Sequence, residues 1–592
     1  MKKVIIAGGG VAGMSAAHEL IERGYAVEVY ELNKQYSGGK ARSVDYYGNP
    51  EAPYKQPLPG EHGFRFFPGF YKHVIDTMKR IPYGNGKTVF NNLTSTSRVM
   101  LARYNRSPIV TVASFPKSLS DFELLIHDMH GADSGLTPYE IKFFAEKVWQ
   151  LITSSAQRRN NDYERLGWWQ YLEADKFPKD GAYQNLLVQG LTRTLVAARA
   201  EKASTKTGGD IFLQLIFGMC DPSVDTDRVL DGPTNERWLY AWKDYLMKKG
   251  VQYHQGTEVT GFQIDKPSAS IQSVTLTDEK GISRQAKADY YILAVPVEKA
   301  ATLISEDMIA EDETLRYIQT LAPSTSWMNG IQFYLNENVE INKGHVIYSD
   351  SEWALTSISQ IQFWNQYDIT TKGNGTIKGI LSVDISDWQS PGKFTTTKIA
   401  EDCNRKEVAM EVWEQIKHSL NTQGQTVLRD EMLVDWFLDR DIQEDGRNAN
   451  FPHMMCLPLK NREPLLVNSV NSWNLRPDAN CDIPNLFLAS DYVKTFTDLA
   501  TMEGANEAAR RAVNCLLDRD QSAASRCKIW PLHEPALFKP LRWYDKRRWS
   551  QGLPWSMHTP WWIKLIMIIW VPLCLVAGFF QLMFKKLFNS NK

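Results

Sequence analysis

The period of the apolar positions changes twice near the N-terminus. Residues 3–7 are almost entirely apolar and rich in β-branched side chains, which predicts a buried strand. Residues 11–21 repeat apolar side chains every three or four positions, as an amphipathic helix does. Gly24 is a helix stop, and residues 26–30 indicate a second buried strand. The order strand, glycine turn, helix, strand predicts a βαβ unit.

Two later regions have different patterns. Residues 137–200 predict mostly helix, and residues 325–390 alternate apolar and polar positions as sheet strands do. The helical region carries an apolar stripe of Phe143, Phe144, Val148, Leu151 and Ile152. Aromatic residues in the strand region could line a pocket for a long apolar ligand, although any one of them is at least as well explained as ordinary core.

The C-terminal pattern is that of a membrane segment. Residues 565–584 contain no charge and are long enough to cross a hydrocarbon core of about 30 Å. Residues 530–562 interleave tryptophan with arginine and lysine, a composition typical of the membrane interface. We therefore expect an interfacial segment over residues 521–562 and a membrane-anchor helix over residues 563–586. A buried terminal helix or a dimer contact is the alternative.

Composition narrows the class of protein. The 592 residues are 43% hydrophobic and 23% charged, with a net charge of -1, which supplies no basic field for nucleic acid. The seven cysteines show no spacing of the kind that binds zinc. The sequence therefore predicts a large globular protein in a reducing compartment, with no nucleic-acid partner and no metal.

The glycine turn after the first strand predicts a dinucleotide site. Gly8 suits a tight turn, Gly10 allows backbone N–H groups to approach a pyrophosphate, and Gly13 allows close packing of helix on strand. Glu31 ends the second strand, where its carboxylate can accept ribose hydroxyls and would repel a 2′-phosphate. NADP is disfavoured, but these residues alone do not separate FAD from NAD.

Further motifs give the chain a resemblance to a known superfamily. Gly38-Gly39-Lys40-Ala41-Arg42-Ser43 follows Glu31, and residues 60–69 form a glycine-histidine-aromatic stretch. Residues 485–491 are followed by residues 500–505 in a pattern similar to a last FAD-binding motif. With these motifs the chain resembles the FAD-dependent phytoene desaturases and hydroxysqualene dehydroxylases of the flavin amine oxidase superfamily. It departs from them at Lys40, where arginine is usual, and at Ser490, where glycine is commoner.

The resemblance implies FAD as cofactor and a set of contacts to it. In that family the stretch over residues 60–69 passes beside the flavin ring, and the valine corresponding to Val259 meets adenine. Asp491 at a strand end can bind ribityl or phosphate-side hydroxyls, and a helix beginning near Met502 offers its dipole to the flavin. The expected cofactor-binding residues are Gly8, Gly10, Val11, Ala12, Gly13, Glu31, Gly38, Gly39, Lys40, Arg42, Gly63, Phe64, Arg65, Val259, Asp491 and Met502.

The expected fold class is α/β, with a Rossmann-like FAD-binding domain interleaved with an α+β substrate domain and a C-terminal membrane-associated helix. Following the family, we assign residues 1–95, 225–300 and 480–520 to the FAD-binding domain. Residues 96–224 and 301–479 are assigned to the substrate-binding domain.

The sequence contains no nucleophile elbow and no paired metal-ligand histidines. Desaturation of an isoprenoid needs a hydride acceptor, the flavin N5, and the loss of a proton from an adjacent carbon, so an obligatory protein base need not be visible. His62 and Arg65 are the catalytic candidates, since the resembling stretch passes the flavin. Arg65 could equally contact FAD or a neighbouring loop.

The leading hypothesis is an FAD-dependent oxidoreductase that acts on a carotenoid precursor or other long isoprenoid lipid. The alternatives are a reduced-FAD polyene isomerase, a flavin amine or protoporphyrinogen oxidase, and a membrane-tethered flavin-binding scaffold. The membrane would supply the lipid and a quinone electron acceptor. We expect the catalytic domain on the cytoplasmic side of that membrane.

Overall fold

The computed structural model describes residues 1–113, 134–179, 181–190, 192, 199–220, 224, 227–444 and 459–589. The domain boundary expected at residue 225 lies outside these ranges. Within them the chain builds two large sheets, several smaller ones and a set of helices. The α-helices of six or more residues are Val11–Ile21, His73–Arg80, Pro138–Thr153, Thr205–Cys220, Tyr240–Lys248, Val297–Leu303, Glu306–Glu311, Arg316–Leu321, Arg405–Leu420, Met502–Arg519, Lys539–Ser550 and Trp561–Asn589.

The first large sheet, called the parallel sheet below, has five strands. Their order is Gln252–Gln255, Ala26–Glu31, Lys3–Ala7, Tyr290–Leu293 and Leu486–Leu488, and every neighbouring pair is parallel. The predicted βαβ unit supplies two of these strands, and the others come from distant parts of the chain. Val4, Ile6, Val29 and Ile292 have no exposed surface. Burial on both faces explains why the inner strands Lys3–Ala7 and Tyr290–Leu293 are almost wholly apolar in sequence.

The second large sheet, called the seven-stranded sheet below, is mostly antiparallel. Its order is Leu433–Leu438, Asn329–Leu335, Gly379–Ile385, Leu355–Ser359, Gly344–Tyr348, Arg98–Arg103 and Arg106–Val112. Four of its strands come from residues 325–390, so the alternation there correctly predicted strands. The short strand Leu58–Glu61, which pairs with Ser43–Tyr46, contacts the seven-stranded sheet. The N–H of Gly330 donates to the carbonyl of His62, the residue after this strand, and the N–H of Glu61 donates to Gln332 Oε1.

The region predicted as mostly helical contains one long helix and several shorter helical segments, among them the π-helix Tyr183–Gln189. Pro138–Thr153 begins with a capping box, in which Thr137 and Glu140 satisfy each other's backbone N–H groups. The predicted stripe is confirmed, since Leu151 is fully buried and its other members pack around the same cluster. The helix Thr205–Cys220, called the cavity helix below, packs against Pro138–Thr153.

The chain ends in a long apolar helix, Trp561–Asn589, which begins two residues before the expected anchor. Its first ten residues contact the body: Ile563 is fully buried, the Trp562 ring contacts Trp543 and Tyr544, and Trp570 Nε1 donates to the carbonyl of Ala536 at 2.8 Å. Within Trp561–Phe580, an 18-residue window has a mean hydropathy of 2.4, and 6% of that window is buried. Among the described residues this is one helix long and apolar enough to span a membrane.

Candidate functional site

A cavity of about 980 Å³ lies between the parallel sheet and the seven-stranded sheet. It begins at the glycine turn after the first strand and reaches the cavity helix. The predicted site residues that line it are Gly8, Gly10, Val11, Ala12, Glu31, Gly38, Gly39, Lys40, Arg42, His62, Phe64, Arg65, Val259, Asp491 and Met502. Gly13 and Gly63 do not line it. The structure thus brings into one cavity residues that are separated by almost 500 positions in the sequence.

The glycine turn leaves a cradle at the start of the first helix. Gly8 has φ of +101°, a region that favours glycine. A Cβ on Gly13 would lie 1.9 Å from the carbonyl oxygen of Gly8, so glycine is required for this helix to approach the turn. A Cβ on Gly10 would meet no protein atom closer than 3.7 Å. No side chain caps the helix at Gly10, which leaves backbone N–H groups free for an anion such as a pyrophosphate.

Glu31 lies beside this cradle. Its carboxylate accepts hydrogen bonds from the N–H of Gly9 at 2.8 Å and of Asn33 at 2.7 Å. Burial raises the pKa of the Glu31 carboxyl, whereas the two backbone donors oppose that rise. A carboxylate has acceptor sites beyond these two bonds, so it can also receive a pair of ribose hydroxyls.

The second glycine pair lies against the first turn. Gly38 donates its N–H to the carbonyl of Gly9 at 3.0 Å, and both Gly38 and Gly39 have positive φ. A Cβ on Gly39 would lie 3.1 Å from Gly10 Cα. These contacts hold the two glycine turns close together on one side of the cavity.

Lys40 and Arg42, two of the predicted cofactor contacts, are bound to carboxylates of the protein. Lys40 Nζ lies 3.0 Å from Glu298 Oε1. Arg42 Nη2 lies 2.7 Å from Asp441 Oδ2, and its Nη1 lies 3.2 Å from Glu463 Oε1. Their side chains line the cavity, but most of their positive charge is balanced within the chain.

The catalytic candidates His62 and Arg65 also have protein partners. Arg65 donates to the carbonyl oxygens of Ala41 at 3.1 Å and Lys40 at 3.0 Å. Arg65 therefore contacts a neighbouring loop, which was one of the alternatives to a catalytic role for this residue. His62 Nδ1 lies 2.5 Å from Asp439 Oδ2. Burial opposes ionisation of Asp439, but the charge of His62 and a hydrogen bond from it lower the pKa of that carboxyl.

Ligand atoms of His62, Asp439 and Asp441 lie within 4.8 Å of one another. Arg42 already contributes a cation to Asp441 at 2.7 Å. The cluster is therefore explained as an ion-pair network that fastens residues 60–65 to the loop after Leu433–Leu438.

The last predicted FAD-binding motif, residues 485–491 and 500–505, forms another wall of the cavity. Ser490 has φ of 120°, which explains why glycine suits this position. Asp491 beside it lines the cavity. The helix Met502–Arg519 begins at the predicted residue, with Thr501 Oγ1 accepting the N–H of Gly504 at 3.2 Å, and Met502 faces the cavity.

Sequence reasoning missed the other half of the cavity. The cavity helix contributes Phe212, Leu215, Ile216 and Met219, and the seven-stranded sheet contributes His345, Ile347, Thr356 and Asp384. Burial raises the pKa of Asp384 to about 7 and lowers the pKa of His345 to about 4. Aromatic residues near these strands were the available signal, but they do not show which face of each strand meets the cavity.

Comparisons with known proteins agree with this geometry. Residues 11–517 match the family profile of flavin containing amine oxidoreductase. The chain is 38% identical over 88 residues to a zeta-carotene desaturase of Zea mays, which is 15% of this chain and 14% of that protein. It is 48% identical over 48 residues to a 1-hydroxycarotenoid 3,4-desaturase of a Flavobacterium, 8% and 10% of the two chains. The chain thus spans only a small part of the length of these relatives.

Solved structures share the fold over almost their whole length. An oxidoreductase from Methanosarcina mazei superposes with a TM-score of 0.55 at 14% identity, covering 88% of this chain and 100% of that one. Cyclohexylamine oxidase from Brevibacterium oxydans also gives 0.55, at 12% identity, covering 88% and 99%. A putrescine oxidase gives 0.54 at 12% identity, covering 87% and 99%.

The cradle at Gly10, the half-buried acid Glu31 and the wall formed by Asp491 and Met502 fit an adenine dinucleotide that extends into the cavity. The family profile begins at residue 11, the first residue of the helix at this cradle, and extends beyond Met502. The chain therefore belongs to the flavin containing amine oxidoreductase family, and its cofactor is FAD.

Proposed function

We propose that this protein is an FAD-dependent desaturase of a long apolar lipid, such as a carotenoid precursor or another isoprenoid. The observation that carries the proposal is the apolar half of the cavity. Its walls include Phe212, Leu215 and Ile216 on one side, and Val99 and Leu101 on the other. A hydrocarbon chain gains free energy by leaving water for such a surface. The names of the matched relatives, a carotene desaturase and a hydroxycarotenoid desaturase, support the same substrate class.

When bound, FAD supplies the acceptor for the two electrons removed from the substrate. The residues of the chain would bind the cofactor, position the substrate and exclude water. The glycine turns and Glu31 would hold the dinucleotide end, and Arg65 fixes the stretch over residues 62–66 against the second glycine turn. The apolar walls exclude water and orient the lipid chain, which lowers the entropic part of the barrier.

The proposed FAD-binding and substrate-binding domains correspond to the two large sheets. We propose that residues 1–95, 225–300 and 480–520 act as the FAD-binding domain, because their strands form the parallel sheet beside the glycine turns. Residues 96–224 and 301–479 would act as the substrate-binding domain, since they supply the cavity helix and most of the seven-stranded sheet. The cavity between the sheets is where cofactor and lipid would meet.

The C-terminal helix would hold the enzyme at the membrane that contains its lipid substrate. Its exposed side chains are apolar over several turns: Leu565, Ile568, Ile569, Leu573, Leu575, Val576, Phe579 and Phe580. Trp543 and Trp561 are exposed beside it, as in an interfacial segment. The cavity helix is tied to the chain before this region, since Gln214 Nε2 donates to the carbonyl of His533 at 2.9 Å and His533 N–H donates back at 2.9 Å.

These features support membrane association through residues 521–586. We propose that the bilayer supplies the lipid substrate and a quinone acceptor, with the catalytic domain on the cytoplasmic side. The apolar length of the helix is sufficient for a span.

The decisive experiment is anaerobic spectroscopy of the full-length, FAD-loaded protein in detergent, mixed with zeta-carotene. Loss of the oxidised flavin bands, together with a product two hydrogens lighter by mass spectrometry, supports the desaturase. As a matched control, putrescine and cyclohexylamine are added in place of the lipid.

Each alternative gives a different result. Reduction of the flavin by an amine, with peroxide on admission of air, would favour an amine oxidase. Isomerised carotene formed only after prior reduction with dithionite would favour the polyene isomerase. A flavin that no lipid or amine affects would favour the scaffold.

A further inference from the structure

One face of the seven-stranded sheet closes the apolar half of the cavity. Three polar side chains of its inner strands line the cavity there, and Thr111 lines it from the edge strand Arg106–Val112. Along Gly344–Tyr348, His345 and Ile347 line the cavity, whereas the residues that alternate with them are buried on the other face. Thr356 and Asp384 line the same cavity from the next two strands. We call His345, Thr356 and Asp384 the polar floor.

The sheet register places the polar floor together. Ile347 pairs with Thr356, and Thr356 pairs with Asp384. Directly opposed residues share a face of the sheet, so Ile347, Thr356 and Asp384 form one row across three strands. His345 lies two positions from Ile347 on the same strand and therefore on the same face.

The polar floor has hydrogen-bonding capacity that the described residues do not use. The His345 ring lies against Phe66 and Phe64, with ring centroids 3.9 Å and 5.0 Å away. Burial is the cause of its lowered pKa of about 4, so the ring is neutral near pH 7 and offers one donor and one acceptor. Asp384 lies beside the backbone N–H of Phe64, which can occupy only part of its acceptor capacity.

A pure hydrocarbon would be a poor match for this floor. It would remove water from His345, Thr356 and Asp384 and return no hydrogen bond to any of them, and burial of polar groups without partners is unfavourable. The rest of the wall, such as Val99, Leu101 and Ile347, still requires an apolar chain. The cavity therefore suits a lipid that is apolar along most of its length and carries one oxygen function.

We propose that the substrate is an oxygenated isoprenoid whose hydroxyl group hydrogen-bonds to His345, Thr356 and Asp384. This inference rests on the proposed function and narrows its substrate class. Because the polar floor lies beside Phe64 and Arg65, the hydroxyl would lie near the stretch expected to pass the flavin, and hence near the carbons that react.

The test compares two probes that differ by one group: a linear carotene, and the same carotene carrying a tertiary hydroxyl group near one end. Binding to the full-length, FAD-loaded protein in detergent is measured by equilibrium quenching of tryptophan fluorescence. The rate of anaerobic flavin bleaching is measured in parallel. We expect the hydroxylated probe to bind about tenfold or more tightly, the range expected of one or two net hydrogen bonds.

Three variants test whether the polar floor causes the tighter binding of the hydroxylated probe. Thr356→Val keeps the shape and removes the hydroxyl, His345→Leu removes the ring nitrogens, and Asp384→Asn alters the acceptor. Each should reduce the preference for the hydroxylated probe at least threefold. The matched control is Ile347→Val, which trims an apolar side chain in the same row and should weaken both probes by the same factor.

The outcomes separate the two proposals. Equal binding of both probes, or a preference unchanged in all three floor variants, would overturn the oxygenated substrate while leaving the lipid desaturase intact. If neither probe binds nor reduces the flavin, the proposed function fails and this inference falls with it. Far-UV circular dichroism and flavin content of each variant show whether it has folded, and Thr356→Val, the most conservative change, decides the matter if another variant has not.

Discussion

Lys206 Nζ lies 2.9 Å from Asp498 Oδ2, although 292 residues separate them in the sequence. Both side chains are buried. Lys206 belongs to the cavity helix, and Asp498 lies in the turn before Met502–Arg519, where it has φ of 48°. Asn468 and Arg476 also contact Asp498, at 3.0 Å and 3.3 Å. This pair therefore joins the cavity helix to the turn that precedes Met502–Arg519.

Removing the cation from this pair should destabilise the fold. Lys206→Met leaves the Asp498 carboxylate buried with weaker compensation, and we expect a loss of about 3 kcal/mol in the free energy of unfolding. Urea unfolding followed by circular dichroism measures it. The exposed Lys202→Met should change that free energy by less than about 0.5 kcal/mol.

The double variant Lys206→Met with Asp498→Asn should recover part of the loss, since it removes the uncompensated charge. If the single variant were as stable as the wild-type protein, the pair would have no structural importance.

Two glycines only three positions apart should respond in opposite ways to alanine. Gly10 has φ of -72°, and a Cβ there meets no protein atom closer than 3.7 Å, so Gly10→Ala should fold normally. Its methyl group would occupy the cradle, and the purified protein should contain much less FAD, measured by absorbance after heat release. Full FAD content in a folded Gly10→Ala protein would contradict close approach of the cofactor here.

Gly13→Ala is the contrasting variant. Its Cβ would lie 1.9 Å from the carbonyl oxygen of Gly8, so the helix would have to move away from the strand. We expect a loss of roughly 3 kcal/mol or more, at the upper end for an overpacked core, and low yield of folded protein. A melting temperature equal to that of the wild type would show that the turn adapts more easily than its packing indicates.

Glu164 should make stability depend on pH. The residue is fully buried, and burial raises the pKa of its carboxyl to about 7, with the charge of Asp498 adding to the rise and a hydrogen bond from Ser204 opposing it. Between its ordinary pKa of 4.5 and about 7, the folded protein holds a proton that the unfolded chain releases. Its contribution to stability is therefore lost as the pH rises, by about 3 kcal/mol between pH 5 and pH 8.

Glu164→Gln should remove this part of the pH dependence, so its unfolding free energy should fall less than that of the wild type between those pH values. Urea titrations at both pH values provide the comparison. The exposed Glu146→Gln is the control and should retain the wild-type slope. Parallel slopes for Glu164→Gln and wild type would show that Glu164 does not titrate in this range.

The C-terminal helix should determine where the protein resides. Ile569 is 67% exposed, so Ile569→Asp leaves the packing of the body unchanged. An aspartate near the centre of a membrane helix costs about 2.5–3.5 kcal/mol, and the variant should move from the membrane fraction toward the supernatant after cell lysis.

A truncated chain ending at Lys564 retains the buried Ile563 and should be released from membranes with its FAD content intact. Alkaline carbonate washing distinguishes a spanning helix from a peripheral contact. Retention of both variants in the membrane fraction would place the anchor elsewhere in the chain.

Part of the site could be predicted because its signals are local. Gly8, Gly10, Gly13 and Glu31 lie within one strand-helix-strand unit, whose spacing follows from backbone geometry alone. The start of Pro138–Thr153 was predictable for the same reason, because Thr137 and Glu140 are three positions apart. Lys40 and Arg42 were less predictable. The family resemblance implied contacts to FAD, but their carboxylate partners, Glu298, Asp441 and Glu463, are hundreds of positions away in the sequence.

The sequence by itself determined the elements whose signals are periodic or closely spaced: the first βαβ unit, the FAD motifs, the helical stripe and the apolar C-terminal helix. Tertiary structure decided which distant strands became neighbours, as when Lys3–Ala7 pairs with Tyr290–Leu293. It also decided that His345, Thr356 and Asp384 share one face above an apolar cavity. The physical reason is that strand order and register depend on the burial of whole faces, and no single segment carries that information.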